Sequence, residues 1–264
     1  MFGVEYRDRV VWITGASGGI GAALARRLAR EGASLALTAR RADALERVAA
    51  SLPAGTRVLT VPGDVTDLDA IPSWLGRVEA ELGPVDVLVA NAGISQRSHV
   101  RDTPLAIYRE LMEVDFFAPV ALARAVLPGM LARGGGHIVV TSSVAGKYGT
   151  PLRSGYCAAK FALHGFFDSL RAETSKDGIA VSLLVAGPIQ TDVSVNALTA
   201  DGSKYGVMDA LQATGIPVDV AADRIVAGML AREPEIVIAE GPSFDALALA
   251  RTDPKALFAL VAER

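Results

Sequence analysis

Short apolar runs rich in β-branched residues recur along the chain, and longer helical patterns separate them. The runs are "VVWIT" (10–14), "SLALTA" (34–39), "RVLTVP" (57–62), "VDVLVA" (85–90), "HIVVTS" (137–142), "AVSLLVA" (180–186) and "EIVIAE" (235–240). Most are continuous rather than alternating in and out, as strands buried on both faces must be. Helical periodicity occupies 19–31, 42–51, 67–82, 104–131, 155–176 and 218–231. A strand–helix succession of this kind predicts an α/β fold: a doubly wound, Rossmann-like parallel sheet of about seven strands, with helices on both faces and right-handed crossovers. No composition break marks a second domain, so residues 1–264 are expected to form one. The stretch 189–217 is too long for a simple connection and reads as a substrate loop.

Composition narrows the function classes. Half the residues are apolar (51%) and the net charge is −3, so no basic field invites nucleic acid. The single cysteine, Cys157, excludes an internal disulfide framework and an all-cysteine metal site; no metal is expected. The opening "MFGVEYRDRVVWITG" carries charges where a signal peptide needs an apolar core. Arg124 and Pro128 break "VALARAVLPGMLA", and no run reaches the roughly 18 uninterrupted apolar residues of a membrane helix. The expectation is a cytoplasmic protein with no membrane span. Helices apolar on more than one face point to an oligomer.

The first strand runs directly into "TGASGGIGAALARRLA". Glycines 15, 19 and 21 lie at a strand–turn–helix junction, where residues without Cβ allow a tight turn and a close backbone approach to a pyrophosphate, and the following helix offers free N–H groups. "GASGG" also matches the nucleophile elbow of hydrolases, with Ser17 as nucleophile. Against that reading, only about ten residues precede the strand, and none of His99, His137 and His164 lies late in the chain. At the end of the second strand, where an acidic residue would accept the ribose 2′-hydroxyl of NAD, the chain reads "LTARRADALE". Arg40 and Arg41 either pair with a 2′-phosphate, which favours NADP(H) over NAD(H), or begin a solvated helix.

Four further segments follow in order: "GDVTD" after strand three, "ANAG" after strand four, "TSS" ending strand five, and "YCAAK" in the next helix. With "TGASGGIG" they make the chain resemble the short-chain dehydrogenases/reductases of the single-domain type, over about residues 8–240. The resemblance implies that Thr14, Gly15, Ser17, Gly19, Ile20 and Gly21 line the pyrophosphate and ribose site. It implies that Asp64 and Val65 meet the adenine, that Asn91, Ala92 and Gly93 pack beneath the cofactor, and that Gly187, Pro188, Ile189 and Thr191 reach the nicotinamide end. Ser143, Tyr156 and Lys160 would be catalytic, Tyr156 and Lys160 also touching cofactor. The implied activity is hydride transfer between a nicotinamide cofactor and a small-molecule carbonyl or secondary alcohol, in a homodimer or homotetramer paired through helices 104–131 and 155–176.

The residue types suit that chemistry. Reduction of a carbonyl leaves an alkoxide that needs a proton, and a free phenol with pKa near 10 shuttles protons poorly at neutral pH. Lys160, one helical turn beyond Tyr156, is expected to lower the phenol toward working range, and Ser143 to polarise the substrate oxygen. Two positions depart from the family pattern: Asp115 stands where the family has a catalytic asparagine, and Ala186 where a proline usually precedes Gly187. A carboxylate near Lys160 would partly offset its effect on Tyr156, lowering activity or moving its pH optimum upward. A catalytically weak dinucleotide-binding scaffold or redox sensor is the alternative. Cys157 reads as a buried structural thiol and His164 as packing or interface. Arg97 and His99 are either substrate contacts or ordinary loop residues.

Overall fold

Every residue of "VVWIT" is buried, and its side chains divide between two cores. Val11 and Ile13 face one, Val10 and Trp12 the other, as a strand of period two must do inside a sheet covered on both sides. The Trp12 indole N–H donates to Thr38 Oγ1 at 2.9 Å, satisfying its buried donor.

The computed structural model describes residues 6–262; residues 1–5 and 263–264 of the chain lie outside that range. Its seven strands are β1 (Val10–Thr14), β2 (Ser34–Ala39), β3 (Val58–Pro62), β4 (Val87–Ala90), β5 (Gly136–Ser143), β6 (Ile179–Ala186) and β7 (Glu235–Ile238). They form one sheet in the order β3-β2-β1-β4-β5-β6-β7, every pair parallel. Ten α-helices connect or follow them: α1 (Gly19–Arg30), α2 (Ala42–Ala50), α3 (Ile71–Leu82), α4 (Leu105–Met112), α5 (Ala118–Arg133), α6 (Ser154–Glu173), α7 (Ala210–Ala213), α8 (Val218–Leu230), α9 (Pro242–Thr252) and α10 (Pro254–Ala262).

Helices α1, α2 and α8 cover one face through Leu24, Leu28, Leu45, Ile225 and Met229. Helices α3, α5 and α6 cover the other through Val78, Leu122, Val126, Leu163 and Phe167. Each such side chain, removed from water, contributes on the order of 1.5–3 kcal/mol before entropy is counted. Helices α9 and α10, which the sequence pattern does not announce, add a third cluster: Ala246, Leu257 and Val261 against Val144, Tyr148 and Val185.

The strand order reverses between β1 and β4, and the crevice outside their C-terminal ends is where such sheets hold ligands. The helical periodicity expected over 104–131 appears as helical backbone running continuously over Leu105–Arg133, with Pro128 inside α5. Among the described residues this is the one helix long and apolar enough, by length and composition, to cross a membrane. A core helix meets the same criterion, and α5 buries Leu122, Ala123, Val126 and Met130.

Candidate active site

The C-terminal ends of β1, β4 and β5 are knitted together by side chains. Thr14 Oγ1 accepts the N–H groups of Asn91 (3.1 Å) and Ala92 (3.2 Å). Asn91 Nδ2 donates to the Thr14 carbonyl (3.1 Å), and Thr141 Oγ1 donates to Asn91 Oδ1 (3.1 Å). The glycine turn closes onto this knot. A Cβ on Gly15, whose φ is +66°, would stand 2.8 Å from Ala92 Cα, and one on Gly21 would stand 2.4 Å from the Gly15 carbonyl oxygen. Both glycines are therefore required by approach of protein backbone to backbone, a need additional to the close approach of a ligand expected from the motif.

The turn fits a dinucleotide. Helix α1 begins without a side-chain cap and without an acidic residue in its first turn, so its leading N–H groups are free for a phosphate. Arg41 Nη2 lies 3.3 Å from Ser17 Oγ, over the turn. Arg40 is exposed, 3.8 Å from Asp64 Oδ2, while Asp64 Oδ1 holds Thr66; Val65 is buried. Ile20, in the first turn of α1, is partly buried against the core that α1 covers. The segment after β6 leans on the same turn: Thr191 Cγ2 lies 3.2 Å from where a Cβ on Gly19 would be. Gly187 N–H donates to the Ile238 carbonyl (2.8 Å), and Pro188 and Ile189 pair with Ile216, whose N–H reaches the Pro188 carbonyl at 3.0 Å.

The residues Ser143, Tyr156, Lys160 and Asp115 come together at the end of β5. Ser143 is the last residue of β5; its Oγ donates to the Ala186 carbonyl (3.1 Å) and accepts the Ala145 N–H (3.2 Å), and it stands near enough to the Tyr156 phenol to favour its ionisation. Tyr156 sits in the first turn of α6, which is anchored by Gln96: its Oε1 accepts the Gly155 N–H at 2.8 Å. Lys160 Nζ lies 5.6 Å from the Tyr156 ring centroid and donates to the Thr141 carbonyl at 2.9 Å.

Asp115 occupies a π-helical turn, Glu113–Phe117, between α4 and α5. The cause is legible. In an α-helix the Asp115 carbonyl would bond the N–H of residue 119, which is Pro119 and has none. The backbone instead takes the wider turn, Ala118 N–H reaching back to Glu113, a deviation common at functional sites. The Asp115 side chain is fully buried. Its Oδ1 accepts the Ile94 N–H at 3.0 Å and lies 3.6 Å from Lys160 Nζ; Oδ2 has no hydrogen-bond partner. Gly93 makes room for it, since a Cβ there would stand 2.7 Å from Oδ1.

The electrostatics correct one expectation. Tyr156 is raised above the ordinary phenol value, because desolvation outweighs the lowering by Lys160, and Asp115 raises it further. Its ring is half-buried by accessible surface, but the surrounding protein, not solvent, sets its environment. Burial likewise pushes Asp115 up to about 6, against the pull of Lys160 and the Ile94 N–H. Asp115 does offset Lys160 as expected, but burial of the phenol has the greater effect.

Other readings resolve. Cys157 is buried, 3.6 Å from Thr150 Oγ1. His164 is buried, its Nε2 2.9 Å from Ser142 Oγ, so of its two readings the structure takes packing rather than interface. His99 is exposed on the rim, lining a cleft of about 360 Å³ with Thr150, Pro151, Leu152 and Ser154, to one side of the catalytic group. The Arg97 side chain is largely covered and paired with Asp209. Thr141 and Gln96 were missed; both are polar residues in or beside apolar strand ends, a signal that spacing alone does not rank. Among the described residues no group of three or more His, Cys, Asp or Glu side chains converges as a metal site would.

Comparison with known proteins agrees with this geometry. A family model for short chain dehydrogenases matches residues 9–201. A zebrafish (Danio rerio) protein named dehydrogenase/reductase SDR family member 7B is 41% identical, covering 98% of this chain and 86% of its own. Levodione reductase superposes with a TM-score of 0.78 at 26% identity, covering 89% of this chain and 96% of that one. An alcohol dehydrogenase from the archaeon Thermococcus sibiricus, complexed with 5-hydroxy-NADP, gives 0.75 at 29%, covering 87% and 95%.

Proposed function

Because the chain belongs to the short-chain dehydrogenase/reductase family of oxidoreductases, we propose that it is an NADP(H)-dependent reductase of ketones or aldehydes with Tyr156 as the proton donor. The observation that carries this reading is the convergence of Ser143, Tyr156 and Lys160 at the strand edge that also holds the glycine turn. The bound nicotinamide supplies the hydride. Everything else falls to this chain. The Tyr156 hydroxyl offers a donor to the substrate oxygen, and the Ser143 hydroxyl adds a second once its proton turns from the Ala186 carbonyl to the substrate. As the carbonyl carbon gains hydride, the oxygen takes the Tyr156 proton, giving the alcohol and a tyrosinate that the Lys160 ammonium stabilises.

A phenol raised above its usual value holds its proton at neutral pH, the protonation state that carbonyl reduction requires. The reverse reaction needs the tyrosinate and so should quicken as pH rises. NADP(H) preference is supported by Arg40 and Arg41 and by the absence of a carboxylate at the end of β2; the Thermococcus sibiricus relative was solved with an NADP derivative. Comparing NADPH with NADH in a ketone screen, for the wild type and Arg40→Ala, tests this reading; an unchanged cofactor ratio removes Arg40 from it. The 189–217 segment acts as the substrate loop. Exposed Leu105 and Phe117 on the α4–α5 run and Phe161 on α6 form the surface through which two copies would pair.

One observation favours a second reading. The unpaired Asp115 Oδ2 beside Lys160 is unusual for a working site, and a dinucleotide-binding scaffold or redox sensor with weakened catalysis would tolerate it. A silent wild type that Asp115→Asn brings to life would establish that alternative.

A further inference from the structure

Three segments meet at the mouth of the site through charge. Arg97 follows the Asn91–Gly93 turn, Arg153 precedes Tyr156 by three residues, and Asp209 lies in the 189–217 loop at the start of α7. Asp209 Oδ2 accepts from Arg97 Nη2 (3.1 Å) and Arg153 Nη2 (2.9 Å), while Oδ1 accepts the Leu211 N–H (3.0 Å). One carboxylate thus faces two guanidinium groups, and a positive charge is left over. Burial lowers the pKa of Arg97 and the neighbouring Arg153 charge lowers it further, against the pull of Asp209.

The two arginines differ in what they have left to give. Arg97, its side chain 7% exposed, also donates to Ser95 Oγ and the Gln96 carbonyl and packs over Tyr205. Arg153 is 27% exposed, and among the described residues its side chain's hydrogen-bond partner is Asp209. It stands close enough to Tyr156 to act on the phenol's ionisation. Asp209 is carried by a loop that touches the 95–97 segment through Leu198, which accepts the Arg97 N–H and donates to the Ser95 carbonyl, both at 2.8 Å.

We propose that Arg153, backed by Arg97, is a carboxylate subsite of the substrate pocket, and that Asp209 is its internal occupant, displaced from Arg153 when a substrate carboxylate binds. A guanidinium fork takes a carboxylate through two parallel N–H groups, more than the single contact Asp209 makes with Arg153. Asp209 keeps its bonds to Arg97 and Leu211 on displacement, so the loop stays seated. The substrate class is an oxo acid whose carbonyl reaches Tyr156 while its carboxylate sits on the rim. The proposal rests on the oxidoreductase reading above.

The test pairs 4-oxopentanoate and 6-oxoheptanoate with their primary amides, measuring binding to the NADP-loaded enzyme by calorimetry and turnover with NADPH alongside. The acid of the better length should bind about tenfold or more tightly than its amide, the scale of a charge-assisted hydrogen bond. Arg153→Gln should abolish the preference, Arg153→Lys should keep part of it, and Asp209→Asn should tighten the acid without tightening the amide. Equal behaviour of acid and amide in the wild type at both lengths, or a preference that survives Arg153→Gln, overturns the proposal. A purely structural latch would weaken acid and amide alike in both Arg153→Gln and Asp209→Asn. Should Arg153→Gln not fold, the wild-type and Arg153→Lys ratios decide. Selective binding without turnover of any of the four compounds would sink the oxidoreductase reading and leave the subsite standing.

Discussion

Replacing Asp115 with asparagine should make the protein more stable at neutral pH, although it removes a charge next to a lysine. The carboxylate is fully buried, its Oδ2 has no partner, and its folded-state pKa is about 6 where an ordinary aspartate stands at 3.8. A raised acid binds its proton more tightly folded than unfolded. The stability it confers is therefore complete below the ordinary value and is lost as pH rises through about 6. That rise corresponds to a loss of about 3 kcal/mol at pH 7. Asparagine keeps an oxygen for the Ile94 N–H and mimics the neutral acid. Asp115→Asn should thus match wild type near pH 4 and exceed it by roughly 2–3 kcal/mol at pH 7 in urea titrations. A difference that is the same at both pH values, or a loss of stability at pH 7, would refute the reasoning. In the alcohol-oxidising direction, the same variant should move the rising limb of the pH–rate profile to lower pH, since Asp115 holds Tyr156 up.

Three further outcomes follow from the geometry. Gly21→Ala places a Cβ 2.4 Å from the Gly15 carbonyl oxygen, so it should cost about 1–3 kcal/mol of stability and weaken NADPH binding in fluorescence titrations. Arg41→Ala removes the guanidinium over the turn and should lower the NADPH-to-NADH affinity ratio about tenfold, with NADH binding little changed. His137 and His164, held neutral at about 4 mainly by burial, oppose Asp115: the unfolded chain takes their protons first, so the stability they confer is full above about 6.5 and lost as pH falls. In an Asp115→Asn background, His137→Gln should therefore flatten the fall of the urea midpoint between pH 6.5 and 4.

The sheet was readable because parallel strands buried on both faces need continuous apolar runs, and all seven runs became strands within two residues of their expected ends. The catalytic group was readable because its chemistry fixes residue types at fixed spacing. What escaped depended on tertiary contact. Helices α9 and α10 bury only a few residues each, so their periodicity is faint in the sequence. The raised phenol of Tyr156 could not be foreseen from its spacing to Lys160, because the outcome is a contest between a charge and burial, and burial has no local signature. Pro119 was the overlooked local clue, since a missing N–H four residues after Asp115 already foretells a disturbed helix there. Arg97, Arg153 and Asp209 stand far apart in the chain and meet only when the loop folds over the sheet edge.

The central claim is that Tyr156 delivers the proton. The direct measurement is the turnover of Tyr156→Phe on any ketone the wild type reduces, with NADPH binding measured in parallel. Loss of the general acid should lower kcat by about 10²–10⁴-fold while NADPH affinity stays within a few-fold of wild type. A variant that binds NADPH normally and turns over within about threefold of wild type, far less than removing a general acid costs, would contradict the account.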